Sequence, residues 1–121
     1  ASMVGLARTV VIKHQEPDGI VTKAQEYIRQ NFQKDVALEE VAQAVGVSPY
    51  YFSKLFKEEA GVNFTEYLTG LRIEKAKSLL KNREMSIKQV CLDSGYANPN
   101  YFSRIFKKWT GITPTEFRDM G

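Results

Sequence analysis

The 121-residue sequence holds one cysteine, one histidine, one tryptophan and four prolines. A single thiol, Cys91, cannot close an intramolecular disulfide. With His14 as the sole imidazole, no Cys/His set of metal-ligand spacing can be drawn either. The expectation is no metal, no cofactor and a reducing compartment. No apolar run approaches the roughly 18 residues that cross a bilayer, and no charged-then-apolar leader precedes a small-residue cleavage site. The reading is therefore soluble and cytoplasmic, with no membrane partner. Neither a nucleophile beside a base nor a carboxylate pair is present, so no catalytic residue is named and the chain is read as not an enzyme. An excess of one charge is missing too: 17 Lys+Arg against 14 Asp+Glu leave +3, too little to name a partner.

The distribution of that charge is more informative. Residues 1–71 hold seven basic and nine acidic side chains, a net −2, while residues 72–121 hold ten and five, a net +5. The basic half is the later one. The chain opens Ala1-Ser2-Met3, which fits a fragment of a longer protein with further domains upstream. After Glu16-Pro17-Asp18-Gly19 the pattern becomes helical almost to the end, broken at Gly46, Gly61, Asn82, Gly95 and Gly111.

Residues 20–33 put Ile20, Ala24, Tyr27, Ile28 and Phe32 on one stripe, a first helix. Leu38 to Val45 give a short second one, which Gly46 closes in the left-handed region. Ser48-Pro49 opens a third, running to about Ala60. A fourth runs from about Phe64 to Lys81 with Tyr67, Leu68, Leu71, Ala76, Leu79 and Leu80 inward and Gly70 as a weak point. A fifth follows Ser86, a sixth opens at Asn98-Pro99, and a last one follows Thr113-Pro114. Thr-Val-Val-Ile at 9–12 reads as an isolated strand piece, and 1–18 as a linker or an added tail.

Pro49-Tyr50-Tyr51-Phe52-Ser53-Lys54-Leu55-Phe56-Lys57 returns as Pro99-Asn100-Tyr101-Phe102-Ser103-Arg104-Ile105-Phe106-Lys107, 50 positions later. Upstream, Val41/Val90 and Gly46/Gly95 match at an offset of 49, so the second copy carries one extra residue in its turn. An insertion there leaves both flanking helices intact. The unit is a short helix, a turn beginning with Gly and a second helix, with Ala42 or Cys91 at the crossing: a helix-turn-helix, present twice.

In the first copy Phe52, Leu55 and Phe56 turn inward, which leaves Tyr50, Ser53, Lys54 and Lys57 on one outward stripe at i, i+3, i+4 and i+7. The second stripe is Asn100, Ser103, Arg104 and Lys107, with Lys108 beside it, and no acid occurs between Asp93 and Glu116. A fourth helix of about 18 residues is roughly 27 Å long. That length, widened by the flanking helices, holds the stripes apart by about one turn of B-DNA, roughly 34 Å. One chain can then address two adjacent major grooves of a duplex. Residues near the helix N-termini meet base edges, lysines a turn later meet phosphates, and amides beside Ser48 and Asn98 can hold a phosphate oxygen. Tyr51, Phe52, Phe56, Tyr101, Phe102 and Phe106 are read as core rather than as a platform for single-stranded bases. Cys91 is read as a small buried residue. Arg72, Lys75 and Lys77 are either a solvated face or contacts to the DNA backbone.

Together with Leu71-Arg72-Ile73-Glu74-Lys75-Ala76, Leu79-Leu80, Gly95-Tyr96-Ala97-Asn98 and Gly111-Ile112-Thr113-Pro114, these motifs resemble the AraC/XylS family of bacterial transcription regulators over about residues 20–119. The resemblance implies an all-α domain of about seven helices, with two homeodomain-like helix-turn-helix subdomains (19–63 and 83–121) joined by a linker helix (64–82). It also implies that a monomer binds two successive major-groove segments of double-stranded DNA near a promoter, usually activating through RNA polymerase, beside the nucleoid. By position, the family's base-reading slots fall on Tyr50, Ser53 and Lys54, and on Asn100, Ser103 and Arg104. Lys57, Lys107 and Lys108 fall on phosphate contacts, and the upstream part would be a sensory or receiver domain. Pro99 replaces a polar base-contacting side chain of some members. The other reading is a protein-interaction module in which one helix pair docks on polymerase or a sensor domain. The first pair is its candidate, since Glu58 and Glu59 follow the stripe.

Overall fold

A computed structural model describes residues 15–121, which form seven α-helices and no strand. They are α1 (Gln15–Asn31), α2 (Leu38–Ala44), α3 (Pro49–Ala60), α4 (Phe64–Leu80), α5 (Ile87–Asp93), α6 (Pro99–Thr110) and α7 (Pro114–Met120). The strand piece at 9–12 and His14 lie outside the described residues. Helix α1 begins at Gln15, inside the stretch read as linker or tail.

The chain forms two compact units: one takes residues up to Gln30 and Val36–Phe64, the other Asn31–Asp35 and Thr65–Gly121. In the first unit, Val21, Ala24 and Ile28 of α1, Val41 and Ala42 of α2, and Phe52, Leu55 and Phe56 of α3 are buried. Phe64 closes this core, its ring 6.2 Å from that of Phe52 and 6.4 Å from that of Phe56. Losing either α3 phenylalanine to alanine costs about 3–5 kcal/mol, a large part of the ~5–15 kcal/mol that holds a small domain together. The inner face of α3 is thereby fixed, and with it the outer one.

The second unit repeats the arrangement with α4, α5 and α6. Ile73, Ala76, Leu80, Val90, Cys91, Tyr96, Phe102 and Phe106 form its core, with Phe117 of α7 against Phe106 at 5.7 Å. Val21, Ala24 and Ile28 have the same spacing as Ile73, Ala76 and Leu80, so α4, expected as a linker, fills in this unit the place that α1 fills in the first. Val41 follows Ile28 by 13 positions whereas Val90 follows Leu80 by 10, so the first copy carries three more residues there. The segment that holds them, Asn31–Asp35, belongs to the second unit.

On α4 the buried set is Phe64, Leu68, Ile73, Ala76 and Leu80, while Tyr67, Leu71 and Leu79 are half-buried. Ile73 escaped the sequence reading because the apolar residues of α4 are spread round the helix, leaving no single stripe. Gly70 lies beneath Trp109: a Cβ there would meet its six-membered ring at 3.6 Å, an ordinary van der Waals distance, so the space alone does not require glycine.

Candidate nucleic-acid interface

The two helix pairs turn alike. Gly46 N–H donates to Gln43 O at 3.1 Å and Val47 N–H to Ala42 O at 3.0 Å; Gly95 N–H donates to Leu92 O at 3.1 Å and Tyr96 N–H to Cys91 O at 3.0 Å. These closures use backbone φ of +82° at Gly46 and +108° at Gly95, which L side chains rarely adopt. Ser48 then starts the first recognition helix, whereas Ala97 precedes Asn98 in the second. Ala97 is thus the residue that changes the offset from 49 to 50.

Helices α3 and α6 each have 12 residues, begin with Pro and end at a left-handed glycine, Gly61 (φ +84°) or Gly111 (φ +90°). On α3 the stripe Tyr50, Ser53, Lys54 and Lys57 faces solvent, with Tyr50 81% exposed. On α6 Asn100, Arg104, Lys107 and Lys108 are exposed and Ser103 is half-buried. Neither Lys54 nor Arg104 has an ion pair among the described residues. Glu58 and Glu59 are exposed at the end of α3, where α6 has Lys108 and Trp109.

The helix starts differ. Pro49 and Pro99 carry no N–H. At α6, Asn98 Oδ1 accepts from Asn100 N–H (2.8 Å) and Tyr101 N–H (3.1 Å), and Phe102 N–H donates to Asn98 O (2.9 Å). Every amide of that first turn is engaged. At α3, Ser48 Oγ accepts only from Tyr51 N–H (3.2 Å) and Phe52 N–H donates to Ser48 O (2.9 Å). Tyr50 N–H has no acceptor among the described residues, so the open first-turn amide is on α3 and not on α6.

Phe52, Phe56, Phe102 and Phe106 are buried as expected, but Tyr51 is 46% and Tyr101 48% exposed. Each precedes its buried phenylalanine by one residue, about 100° round the helix, which places the ring at the rim of the core. Tyr101 therefore borders the α6 stripe, a position the sequence reading assigned to the interior. Cys91 is buried: its Sγ donates to Tyr96 O at 3.2 Å, and burial pushes the thiol pKa up. Arg72, expected as a solvated face or a DNA contact, is half-buried and bonded within the domain. Its Nε donates to Phe32 O and its Nη2 to Lys34 O, both at 2.8 Å. Arg118 acts likewise, donating to Leu80 O (2.9 Å) and Asn82 O (3.0 Å) at the C-terminal end of α4.

Two helices, each with an exposed face that carries cations beside small polar side chains, match the demands of duplex recognition. A guanidinium can meet guanine O6 and N7 together, and ammonium groups a turn later meet phosphate. A family profile described as a helix-turn-helix domain matches residues 41–120, from within α2 to the end of α7. The chain belongs to the AraC-type helix-turn-helix family.

This AraC-type domain is 40% identical to the C-terminal domain of AraT, a response regulator from Geobacillus stearothermophilus. That match covers 84% of this chain and 85% of that one, with a TM-score of 0.81. It is 39% identical over 93 residues to the HTH-type transcriptional regulator YijO of Escherichia coli K12, covering 77% of this chain and 33% of that protein. With the xylose operon regulatory protein of the same strain it shares 37% over 103 residues, 85% of this chain and 26% of that protein. The chain thus spans a third or less of the length of these two regulators. The chain is thus a DNA-binding domain of the AraC type. No described helix is long and apolar enough to cross a membrane, and no described group of three or more His, Cys, Asp and Glu could hold a metal ion.

Proposed function

We propose that this AraC-type domain reads double-stranded DNA with both recognition helices, placed in two successive major-groove segments. The observation that carries the reading is the duplicated outward stripe, Tyr50, Ser53, Lys54 and Lys57 on α3 and Asn100, Ser103, Arg104 and Lys107 on α6, each fixed by a buried Phe pair. Arg104 and Lys54 take base edges together with Asn100, Ser53 and Ser103, and Tyr50 packs on a thymine methyl or a sugar. Lys57, Lys107, Lys108, the Tyr50 N–H beside Ser48 and the Asn98 side chain hold phosphates.

The domain does no chemistry of its own. It works in the cytoplasm at the nucleoid, in a longer protein whose upstream part senses a signal, and it activates transcription with RNA polymerase as partner. Exposed Glu58 and Glu59 favour one second reading, in which α3 docks on a protein and α6 alone reads DNA.

Selection from a random duplex pool tests the proposal. The full chain enriches a motif with two separated blocks, and the Lys54→Ala, Arg104→Ala double variant fails to bind it. No enriched motif, or equal binding by the double variant, overturns the proposal. A motif with one block replaces it by the second reading.

A further inference from the structure

We infer that Arg72, which touches no outward stripe, is a positioning residue for DNA reading by α6. The inference rests on the proposed duplex-reading function and adds a residue to it. Arg72 projects from α4 and is part-buried. Its fork fastens the segment after α1 through Phe32 O and Lys34 O, both at 2.8 Å. Its guanidinium carbon lies 5.2 Å from the centre of the Tyr96 ring. Tyr96, buried in the α5–α6 turn, packs in turn on Tyr101 at 5.9 Å and Phe102 at 5.6 Å, the first aromatic residues of α6.

The same strap is held a second time, by Gln33 Nε2 donating to Asp93 O at 2.7 Å where α5 ends. Gly95, the glycine of that turn, leaves no room: a Cβ on it would lie 2.7 Å from Phe32 O and 2.8 Å from Arg72 Nε. One planar cation therefore fixes three things together: the strap, the glycine that turns the chain, and the tyrosine under the first turn of α6. Base reading tolerates about 0.5 Å of misplacement in its side chains, so the group that sets the entry of α6 also sets how well Asn100 and Arg104 meet bases. Lysine keeps the charge but offers a point rather than a fork and a flat face. The first turn has no counterpart, since a Cβ on Gly46 would meet nothing within 4 Å.

The test uses the full chain and its selected duplex. Base positions are first assigned to α6 as those whose discrimination is lost in Arg104→Ala, and to α3 as those lost in Lys54→Ala. For Arg72→Met the expected result is a fall of about tenfold in discrimination at the α6 positions, the worth of one well-placed base contact. Discrimination at the α3 positions, and the dependence of affinity on salt, should stay as in the wild type. A merely structural loss would release phosphate contacts and flatten that dependence. If Arg72→Met does not fold, Arg72→Lys decides by the same ratio. Equal loss at both sets, a flattened salt dependence, or no loss overturns the inference. A wild type that discriminates at neither set overturns the DNA-reading proposal itself.

Discussion

Gly46 and Gly95 turn the chain in the same way 49 positions apart, at φ +82° and +108°, yet only Gly95 has neighbours where a Cβ would go. The two positions separate backbone strain from collision. Gly46→Ala meets strain alone, worth about 1–2 kcal/mol for an L residue in the left-handed region. Gly95→Ala adds the collision with Phe32 O, and the loss should reach about 3 kcal/mol or more. Chemical denaturation of the two variants measures the difference, and equal losses would show that the strap does not press on the turn.

Arg104 is exposed, without an ion pair among the described residues, one turn after Asn100 on the face opposite Phe102 and Phe106. Arg104→Ala should cost about 1–3 kcal/mol on the cognate duplex and relax the preference at one base position. Titrations against the cognate site and its single-base variants check both. A uniform loss across all variants would place Arg104 on a phosphate instead.

The positive charge of the later half concentrates on α6, where no acid intervenes between Asp93 and Glu116, whereas Glu58 and Glu59 follow Lys57 on α3. Lys107→Ala should flatten the slope of log affinity against log salt by about one unit, the yield of one phosphate contact. Lys57→Ala should flatten it by less. Binding isotherms over a range of salt decide this, and a larger effect from Lys57 would contradict it.

Helix α7 starts with a reciprocal cap: Glu116 N–H donates to Thr113 Oγ1 at 3.1 Å, and Thr113 N–H to Glu116 Oε1 at 2.9 Å. The backbone bond from Thr113, ahead of its side-chain bond, holds the Glu116 carboxyl below its ordinary pKa. A carboxyl depressed in the folded state stabilises above its unfolded pKa, and that contribution fades as pH falls through the folded value. Thermal melts of wild type and Glu116→Gln should therefore differ at neutral pH and converge in the acid range. A constant gap at all pH values would rule out the carboxylate as the source.

Much of this was legible in the sequence, for definite reasons. Ser48-Pro49, Ser86, Asn98-Pro99, Thr113-Pro114 and the glycines at 46, 61, 95 and 111 mark helix ends through local backbone chemistry, and the structure has its caps there, or one residue earlier at Val45 and Ser94. The repeat fixed which face of α3 and α6 turns outward. Ile73 was hidden because the apolar residues of α4 are spread round the helix and leave no single stripe. Tyr51 and Tyr101 misled because periodicity assigns a rim position to whichever face has more phenylalanine. Arg72 could not be placed, since its partners Phe32 and Lys34 are backbone carbonyls some 40 positions earlier. A carbonyl leaves no mark on residue identity, so nothing in the sequence announces that pairing.

The central claim is that both recognition helices of one chain engage DNA. Hydroxyl-radical footprinting of the full chain on its selected duplex tests this most directly. The account predicts two protected segments with centres about 10 base pairs apart on one face of the duplex, the first lost in Lys54→Ala, Lys57→Ala and the second in Arg104→Ala, Lys107→Ala. A single protected segment, unchanged when the α3 stripe is removed, would contradict it.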